Sequence, residues 1–298
     1  MNSSVMNNIQ SEKVKCKKNS IIKETWRRMR KNKSAMLGLF ILILFGVTAV
    51  FANLIVPEEY VTLQNAKIRL QPPSAEHIFG TDAYGRDLFA RVVYGSRTSL
   101  TIGFVTAGIS LFFGGILGAC AAFYGGRIDN VIMRFMDMLS AIPGTLLALS
   151  IVAALGPSMM NLLIAIAVSS IPGFVRLIRS VVLSLVEMDF IEAARACGTL
   201  DKRIILKHIL PNAIGPIIVQ TTTSIASMIL QASGLSFIGM GVQPPNPEWG
   251  SMLSEAREYM RIAPYLLVFP GVSIILAALS FNLLGDGLRD ALDPKLRS

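Results

Sequence analysis

Residues 98–126 read TSLTIGFVTAGISLFFGGILGACAAFYGG and contain no Asp, Glu, Lys or Arg. An α-helix rises about 1.5 Å per residue, so about 20 apolar residues cross the hydrocarbon core of a bilayer. Helices buried in soluble proteins rarely avoid charge over such a length. The stretch therefore predicts one membrane-spanning helix.

Four further charge-free windows lie on either side of this stretch, at 34–57, 138–175, 209–247 and 262–285. Window 138–175 is too long for one helix and is interrupted at Gly156-Pro157, so we expect it to hold most of two. The sequence predicts an all-α membrane protein with six transmembrane helices. The spans are expected at 35–56, 98–124, 131–154, 159–178, 213–237 and 264–286.

The composition of the 298 residues supports this fold class. Hydrophobic residues make up 52%, charged residues 16%, and mean hydropathy is +0.56. A soluble domain is about 25% charged. The apolar content excludes a disordered chain, and three Cys in so long a chain exclude a disulfide-built scaffold. All three are predicted to be free thiols.

The net charge of +9 first suggests nucleic acid or an anionic membrane as a partner. The six spans divide the 28 Lys and Arg residues into 21 on the side of the termini and 7 on the other side. The positive-inside rule then predicts that the N-terminus and the C-terminus are both cytoplasmic. The charge is a topology signal, and no nucleic acid partner is expected.

The predicted organisation follows from this topology. Residues 1–34 form a cytoplasmic basic tail, 35–56 the first transmembrane helix, 57–97 an extracytoplasmic loop, 98–286 the core, and 287–298 a cytoplasmic tail. Because the first apolar run begins only at Ala35, it is expected to be an uncleaved span rather than a signal peptide. Residues 20–34 are predicted to form an interfacial helix at the membrane lipid surface, with a disordered basic tail as the alternative.

Segment 187–212, EMDFIEAARACGTLDKRIILKHILPN, joins the predicted fourth and fifth spans on the cytoplasmic side. Asp189 and Glu192 are spaced as a capping box, and Gly198 is placed to end the first short helix. A second short helix, capped by Thr199 or Asp201, is expected to end before Pro211. These two short helices are too polar to insert into the membrane and too apolar to form a free loop. They therefore indicate a docking element for a cytoplasmic partner.

The same segment resembles a known motif. Glu192-Ala193-Ala194, then Gly198, then Leu210-Pro211, is similar to the EAA motif of permease subunits of bacterial ABC importers. His208 stands where that pattern often has an apolar residue, as is common in the peptide-importer branch. Three further stretches resemble the C-type permease subunit of dipeptide, oligopeptide and nickel importers: GTDAYGRD at 80–87 with Arg91 and Gly95-Ser96-Arg97, LSFIG at 235–239 with QPP at 243–245 and PEWG at 247–250, and FNLLGDGLRD at 281–290 with Asp293-Pro294.

The resemblance implies a type I ABC importer permease fold in the bacterial inner membrane. It implies a non-catalytic subunit that forms half of the pathway for ATP-driven import of di- or oligopeptides. The implied partners are a second homologous permease subunit, two ATPase subunits that bind ATP and Mg, and an extracytoplasmic solute-binding protein. Coupling to the ATPases is assigned to Glu192, Ala193, Ala194, Gly198, Asp201, Leu210 and Pro211.

Candidate contacts with the solute-binding protein lie in the two predicted outer loops. They are Asp82, Arg86, Asp87, Arg91, Glu248 and Trp249. The first four can instead pair with one another in a solvated folded loop, and Trp249 can instead lie at the membrane interface.

Other functions lack their usual signatures. The chain has no GxxxxGK[ST], HExxH or GxSxG motif, and its two His, His77 and His208, fall on opposite sides. No ionisable residue is placed in mid-membrane, which disfavours an ion-coupled secondary transporter. We expect no catalytic residue, metal site or cofactor in this chain. Nickel or a metal chelate remains the alternative cargo.

Small and cyclic residues predict features of the spans. Gly114 and Gly118 form a small-xxx-small pair for close helix packing. Pro143, Pro172 and Pro270 are expected to kink spans three, four and six, with gating as one use of such kinks.

Overall fold

The structure is a computed structural model that describes residues 21–292. Within these residues the regular structure is helical, apart from an isolated bridge between Thr81 and Asp87. Cys16, Asp293 and Pro294 lie outside the described residues. Cys120 and Cys197 are free thiols, as predicted.

Five helices are long and apolar enough to cross a membrane, and a bent pair makes a sixth candidate span. The five are α2 (Lys33–Val50), α5 (Leu88–Tyr124), α8 (Met159–Val186), α10 (Asp201–Phe237) and α12 (Tyr265–Leu292). The bent pair is α6 (Gly126–Ser140) and α7 (Gly144–Leu155). The short helices are α1 (Ile21–Met29), α3 (Ala52–Ile55), α4 (Glu59–Thr62), α9 (Asp189–Ala196) and α11 (Trp249–Ala256), with 3-10 turns at Ala66–Ile68 and Arg257–Tyr259.

The third predicted span is broken rather than continuous. The axes of α6 and α7 differ by 81° across a break at residues 141–143. Proline has no N–H to donate and disfavours helical backbone in the residue before it, so Pro143 ends the first helix and precedes the second. The Arg179 guanidinium joins α8 to α6 by donating two hydrogen bonds to the Asp129 carboxylate, each with an N–O distance of 2.6 Å. By contrast, α8 and α12 continue through Pro172 and Pro270.

Four helices, α5, α8, α10 and α12, extend well beyond their predicted ends because charged residues ended the apolar windows without ending the helices. The second span starts at Leu88 instead of 98, where the Asp87 carboxylate accepts a hydrogen bond from the Ala90 N–H at 2.8 Å. The Arg97 guanidinium donates to the Ala49 carbonyl of α2 at 2.9 Å, so this side chain has a hydrogen-bond partner beside the helix. At the other ends, α8 runs to Val186 and α12 to Leu292.

Close packing of α5 against α8 is confirmed at the two predicted glycines. A Cβ at Gly114 would lie 2.5 Å from the Phe174 Cβ, and one at Gly118 would lie 2.7 Å from the Val175 carbonyl oxygen. Only glycine allows the two backbones to approach this closely.

The helix predicted within 20–34 is present as α1. Met29 at its end is buried against Ala35 and Ala291, so α1 packs on the final turns of α12. Trp26 is 44% exposed.

Candidate functional site

The coupling segment, defined as residues 187–212, begins with the short helix α9. Its N-cap is Met188, whose carbonyl accepts from the Ile191 N–H, and no side chain caps the helix. The predicted capping box of Asp189 and Glu192 is therefore wrong, because a start one residue earlier places Glu192 beyond position N3. Both carboxylates remain in the first turn, where they complement the positive end of the helix dipole.

Gly198 ends α9 as predicted. Its φ of +70° is left-handed, and its N–H donates to the Arg195 carbonyl at 2.9 Å. The Thr199 N–H donates to the Ala194 carbonyl at 3.1 Å. These two bonds form a Schellman cap, in which a residue in the left-handed conformation satisfies the last carbonyls of a helix.

The second short helix of the prediction is not separate. A helix starts at Asp201, passes through a π turn at Ile204–Ile209 and continues as α10 to Phe237. Neither Thr199 nor Asp201 caps it, since its N-cap is Leu200. Pro211 does not end this helix, because a wide turn before a proline relieves its missing N–H and its ring clash.

Three fully buried isoleucines fix the coupling segment to the long helices. Ile191 of α9 and Ile204 and Ile209 of the π turn are each 0% exposed. They belong to one apolar cluster with eight other buried side chains from three long helices. These are Ile178, Val182 and Leu185 of α8, Ala213 and Ile217 of α10, and Ala119, Ala122 and Phe123 of α5. The Arg195 guanidinium lies 5.0 Å from the centre of the Phe123 ring. The helix α9 is therefore packed on an apolar cluster that three long helices share.

The predicted coupling residues lie mostly on the free surface of this segment. Glu192, Ala193, Gly198, Asp201 and Pro211 are exposed, whereas Ala194 and Leu210 are half-buried against the apolar cluster. Four apolar side chains that the motif did not single out are also exposed: Met188 at 45%, Phe190 at 40%, Leu200 at 78% and Leu206 at 53%. Exposed apolar side chains on a firmly packed helix suit docking to another protein.

At the opposite end of α5, four charged side chains form an ion cluster, defined as Asp82, Arg86, Arg91 and Glu255. The Asp82 carboxylate accepts from the Arg86 Nε at 2.6 Å and from an Arg91 Nη at 3.0 Å. The Glu255 carboxylate accepts from the same two guanidinium groups, at 2.5 Å from Arg86 and 3.2 Å from Arg91. The cluster joins loop 57–87 to α5 and α11.

Glu248 and Trp249 make a second junction between α11 and α5. The Glu248 carboxylate caps α11 by accepting from the Gly250 and Ser251 N–H groups at 2.9 and 2.8 Å. It also accepts from the Ser99 hydroxyl at 3.3 Å. The Trp249 indole N–H donates to the Val92 carbonyl at 3.0 Å.

These positions correct the predicted contacts with a solute-binding protein. Arg86, Arg91, Glu248 and Trp249 are 0–2% exposed and Asp82 is 7% exposed. Side chains so deeply buried have almost no surface to offer a second protein, and here they hold the loops together instead. The predicted pairing of Asp82 with the two arginines is present, but in the interior. Asp87 pairs with His77 at 2.8 Å, while its other oxygen caps α5.

Glu255 was missed by the sequence reasoning because its partners lie 164 and 169 residues away. Burial raises the pKa of Glu255 to about 7, against the opposing effect of Arg86. Burial likewise raises the pKa of Glu248, since its partners are hydrogen-bond donors without formal charge.

Comparison with known proteins identifies the arrangement. The family described as binding-protein-dependent transport system inner membrane component matches residues 110–298. The N-terminal TM domain of oligopeptide transport permease C matches residues 20–73. The chain belongs to this family of ABC importer permeases.

Named relatives cover nearly the whole chain. The dipeptide transport system permease protein DppC of Alkalihalophilus pseudofirmus is 51% identical over 93% of this chain and 90% of its own length. The glutathione transport system permease protein GsiD of Escherichia coli O6:K15:H31 is 47% identical over 92% of this chain and 90% of its own length. A solved structure of the inward-facing MetNI methionine ABC transporter aligns with a TM-score of 0.57 and 17% identity, covering 69% of this chain and 98% of that one.

The predicted all-α fold of an ABC importer permease is thus confirmed. As a member of this family, the permease is a non-catalytic, multi-pass protein of the bacterial inner membrane. The family has no cofactor of its own and acts with ATPase and substrate-binding partners.

Proposed function

We propose that this permease forms half of the translocation pathway of an ATP-driven importer of di- or oligopeptides. The names of the relatives support a peptide cargo, since one transports dipeptides and the other glutathione, a small peptide. Nickel or a metal chelate is the less favoured alternative, and an ion-coupled transporter does not fit the family. The other half would be a second homologous permease, with two ATPase subunits holding ATP and Mg and a solute-binding protein outside.

The observation that carries the coupling role is the packing of α9. Its outer face is free, while Ile191 joins it to the apolar cluster at the ends of α5, α8 and α10. ATP-driven closure of the ATPase subunits would push α9, and the buried isoleucines would pass that displacement to the spans. In this arrangement Glu192, Ala193, Gly198 and Asp201 face the ATPase.

The proposed topology follows the charge count. We place both termini, tail 1–34 and the coupling segment in the cytoplasm, with α1 at the membrane surface. Loop 57–97 and the segment containing α11 lie outside. The ion cluster then holds the outer loops as a platform for the solute-binding protein, which would contact their exposed residues rather than the buried cluster.

Charge reversal at Glu192 tests the coupling role. The assay uses the complex of permease, ATPases and binding protein in proteoliposomes. Glu192→Lys should lower ATP-dependent peptide uptake and retention of the ATPase subunits, because like or unmatched charges weaken an interface. The matched control is Glu258→Lys, an exposed glutamate in the outer segment after α11, which should leave retention of the ATPase subunits unchanged. Unchanged uptake together with unchanged assembly would remove the coupling role.

Cys197, which is exposed directly after α9, tests the topology. A chain with Cys16 and Cys120 replaced by Ser should react with a membrane-impermeant maleimide only after permeabilisation of the cells. Labelling of intact cells would place the coupling segment outside.

Cargo is tested by comparing uptake of a labelled dipeptide, glutathione and Ni²⁺; uptake of Ni²⁺ alone would overturn the peptide assignment.

A further inference from the structure

An apolar groove lies between the second half of α5 and the first part of α10. Its volume is about 840 Å³. Its walls include Phe112, Ile116, Leu206 and Ile214, which are between 49% and 62% exposed and lack apolar neighbours on one side. In a membrane such a surface must be covered by lipid or by another protein.

The length of the groove matches one leaflet of a bilayer. It extends along α5 from Leu111 to Tyr124, which is about 20 Å at the rise of an α-helix. One leaflet contributes about 15 Å of hydrocarbon, and the headgroup layer lies beyond it. The Tyr124 end is also the end at which the coupling segment packs, so it marks the membrane surface.

The charged lining of the groove is restricted to that end. Lys202 is the one charged residue in the lining, and Tyr124 adds a phenol near it. None of the ion pairs among residues 21–292 includes Lys202. Its sequence neighbours Arg203 and Lys207 are exposed and also absent from these pairs. An unpaired cation at the surface end of an apolar groove complements a lipid phosphate.

The single cation at the surface end of the groove favours a lipid occupant over a transmembrane helix of another subunit, because a phospholipid supplies an acyl chain and a complementary phosphate together.

We propose that the groove binds an acyl chain of an anionic phospholipid whose phosphate is held by Lys202. The bound lipid would fill the space between α5 and the coupling segment. It would thus support the surface through which the ATPases act, whatever cargo the importer carries.

The experiment measures lipid retained by the full-length chain. The protein is placed in nanodiscs of equal phosphatidylglycerol and phosphatidylcholine, extracted with mild detergent, and the bound lipid is quantified by mass spectrometry. The wild type should retain phosphatidylglycerol preferentially. Lys202→Gln should lower that preference about fivefold, as expected for one basic residue at a membrane surface. Lys207→Gln, in the same segment but outside the lining, is the matched control and should leave it unchanged.

A second variant tests the acyl-chain site without touching charge. A Cβ at Gly115 would lie 3.8 Å from the Ile178 Cδ1, an ordinary contact, so Gly115→Leu projects into the groove without a backbone clash. It should lower retention of both lipids. Equal retention by wild type, Lys202→Gln and Gly115→Leu would overturn the proposal. Loss of phosphatidylglycerol when the second permease is co-expressed would also overturn it, by showing that the groove is a subunit interface.

Discussion

Replacing Gly198 by Ala isolates the contribution of one backbone conformation to the coupling segment. Gly198 has a φ of +70°, and no atom lies within 4 Å of the position that a Cβ would take. The substitution therefore introduces no clash, and its effect arises from the left-handed backbone alone.

The magnitude follows from the cost of that conformation. An L-residue other than glycine pays about 1–2 kcal/mol in the left-handed region. At 1.4 kcal/mol per factor of ten, the opening of the cap should become about 5–30-fold more frequent. The affected donors are the N–H groups of Cys197, Gly198 and Thr199, which bond to the last carbonyls of α9.

Amide hydrogen exchange of the peptide covering 189–200, measured in nanodiscs, is the direct assay. Gly198→Ala should speed exchange by that factor, and Gly198→Asn should have a smaller effect because Asn tolerates the left-handed region better. Gly173→Ala is the matched control, since Gly173 also has open space around it but lies within the regular helix α8. Exchange as slow in Gly198→Ala as in wild type would refute the conclusion that this cap limits opening of α9.

Two further predictions concern the ion cluster and the packing of the spans. The pKa of Glu255, about 7 in the folded chain against an ordinary 4.5, means that the folded state holds a proton that the unfolded state has lost between these values. The folded state should therefore lose about 2 kcal/mol of stability as pH rises from 5.5 to 8, measured as a falling thermal midpoint, and Glu255→Gln should reduce this dependence; a midpoint that does not change with pH would contradict it. Gly118→Val should lower the midpoint, by an overpacking cost of about 1–3 kcal/mol, because its Cβ would meet the Val175 carbonyl. Gly108→Val, in the same helix with open space around it, is the control, and equal midpoints for the two variants would show that α5 and α8 need not approach so closely.

Five of the six predicted spans correspond to long apolar helices, because membrane crossing depends on a local property. Apolar windows without charge are read within about 20 residues, and no knowledge of distant contacts is needed. The same rule misplaced the ends of helices, as at Leu88, because a helix continues wherever its charged side chains find partners. Arg97 illustrates this, since its guanidinium donates to a carbonyl of α2, a contact that hydropathy does not report.

The coupling segment was predictable in part for the same reason. The left-handed end at Gly198 is a local feature of the chain, and it is where the sequence placed it. The continuation of α10 through Pro211 was missed, because the outcome depends on a π turn that buries Ile204 and Ile209 against other helices. A proline predicts a helix end only where tertiary packing does not favour a wider turn.

The candidate contacts with the solute-binding protein show why charged residues in a predicted loop are weak evidence of a protein-binding surface. Asp82, Arg86 and Arg91 fall within ten residues, so a local reading places them in a solvated loop. Glu255, from a distant segment, supplies a second carboxyl group that both arginines contact, and these contacts allow the cluster to be buried. Breaking one partner of such a set costs more than an exposed pair does, because the remaining charge stays buried. The charges of these loops are therefore best understood as holding the outer segments in one arrangement, which in turn fixes the exposed surface that a binding protein would meet.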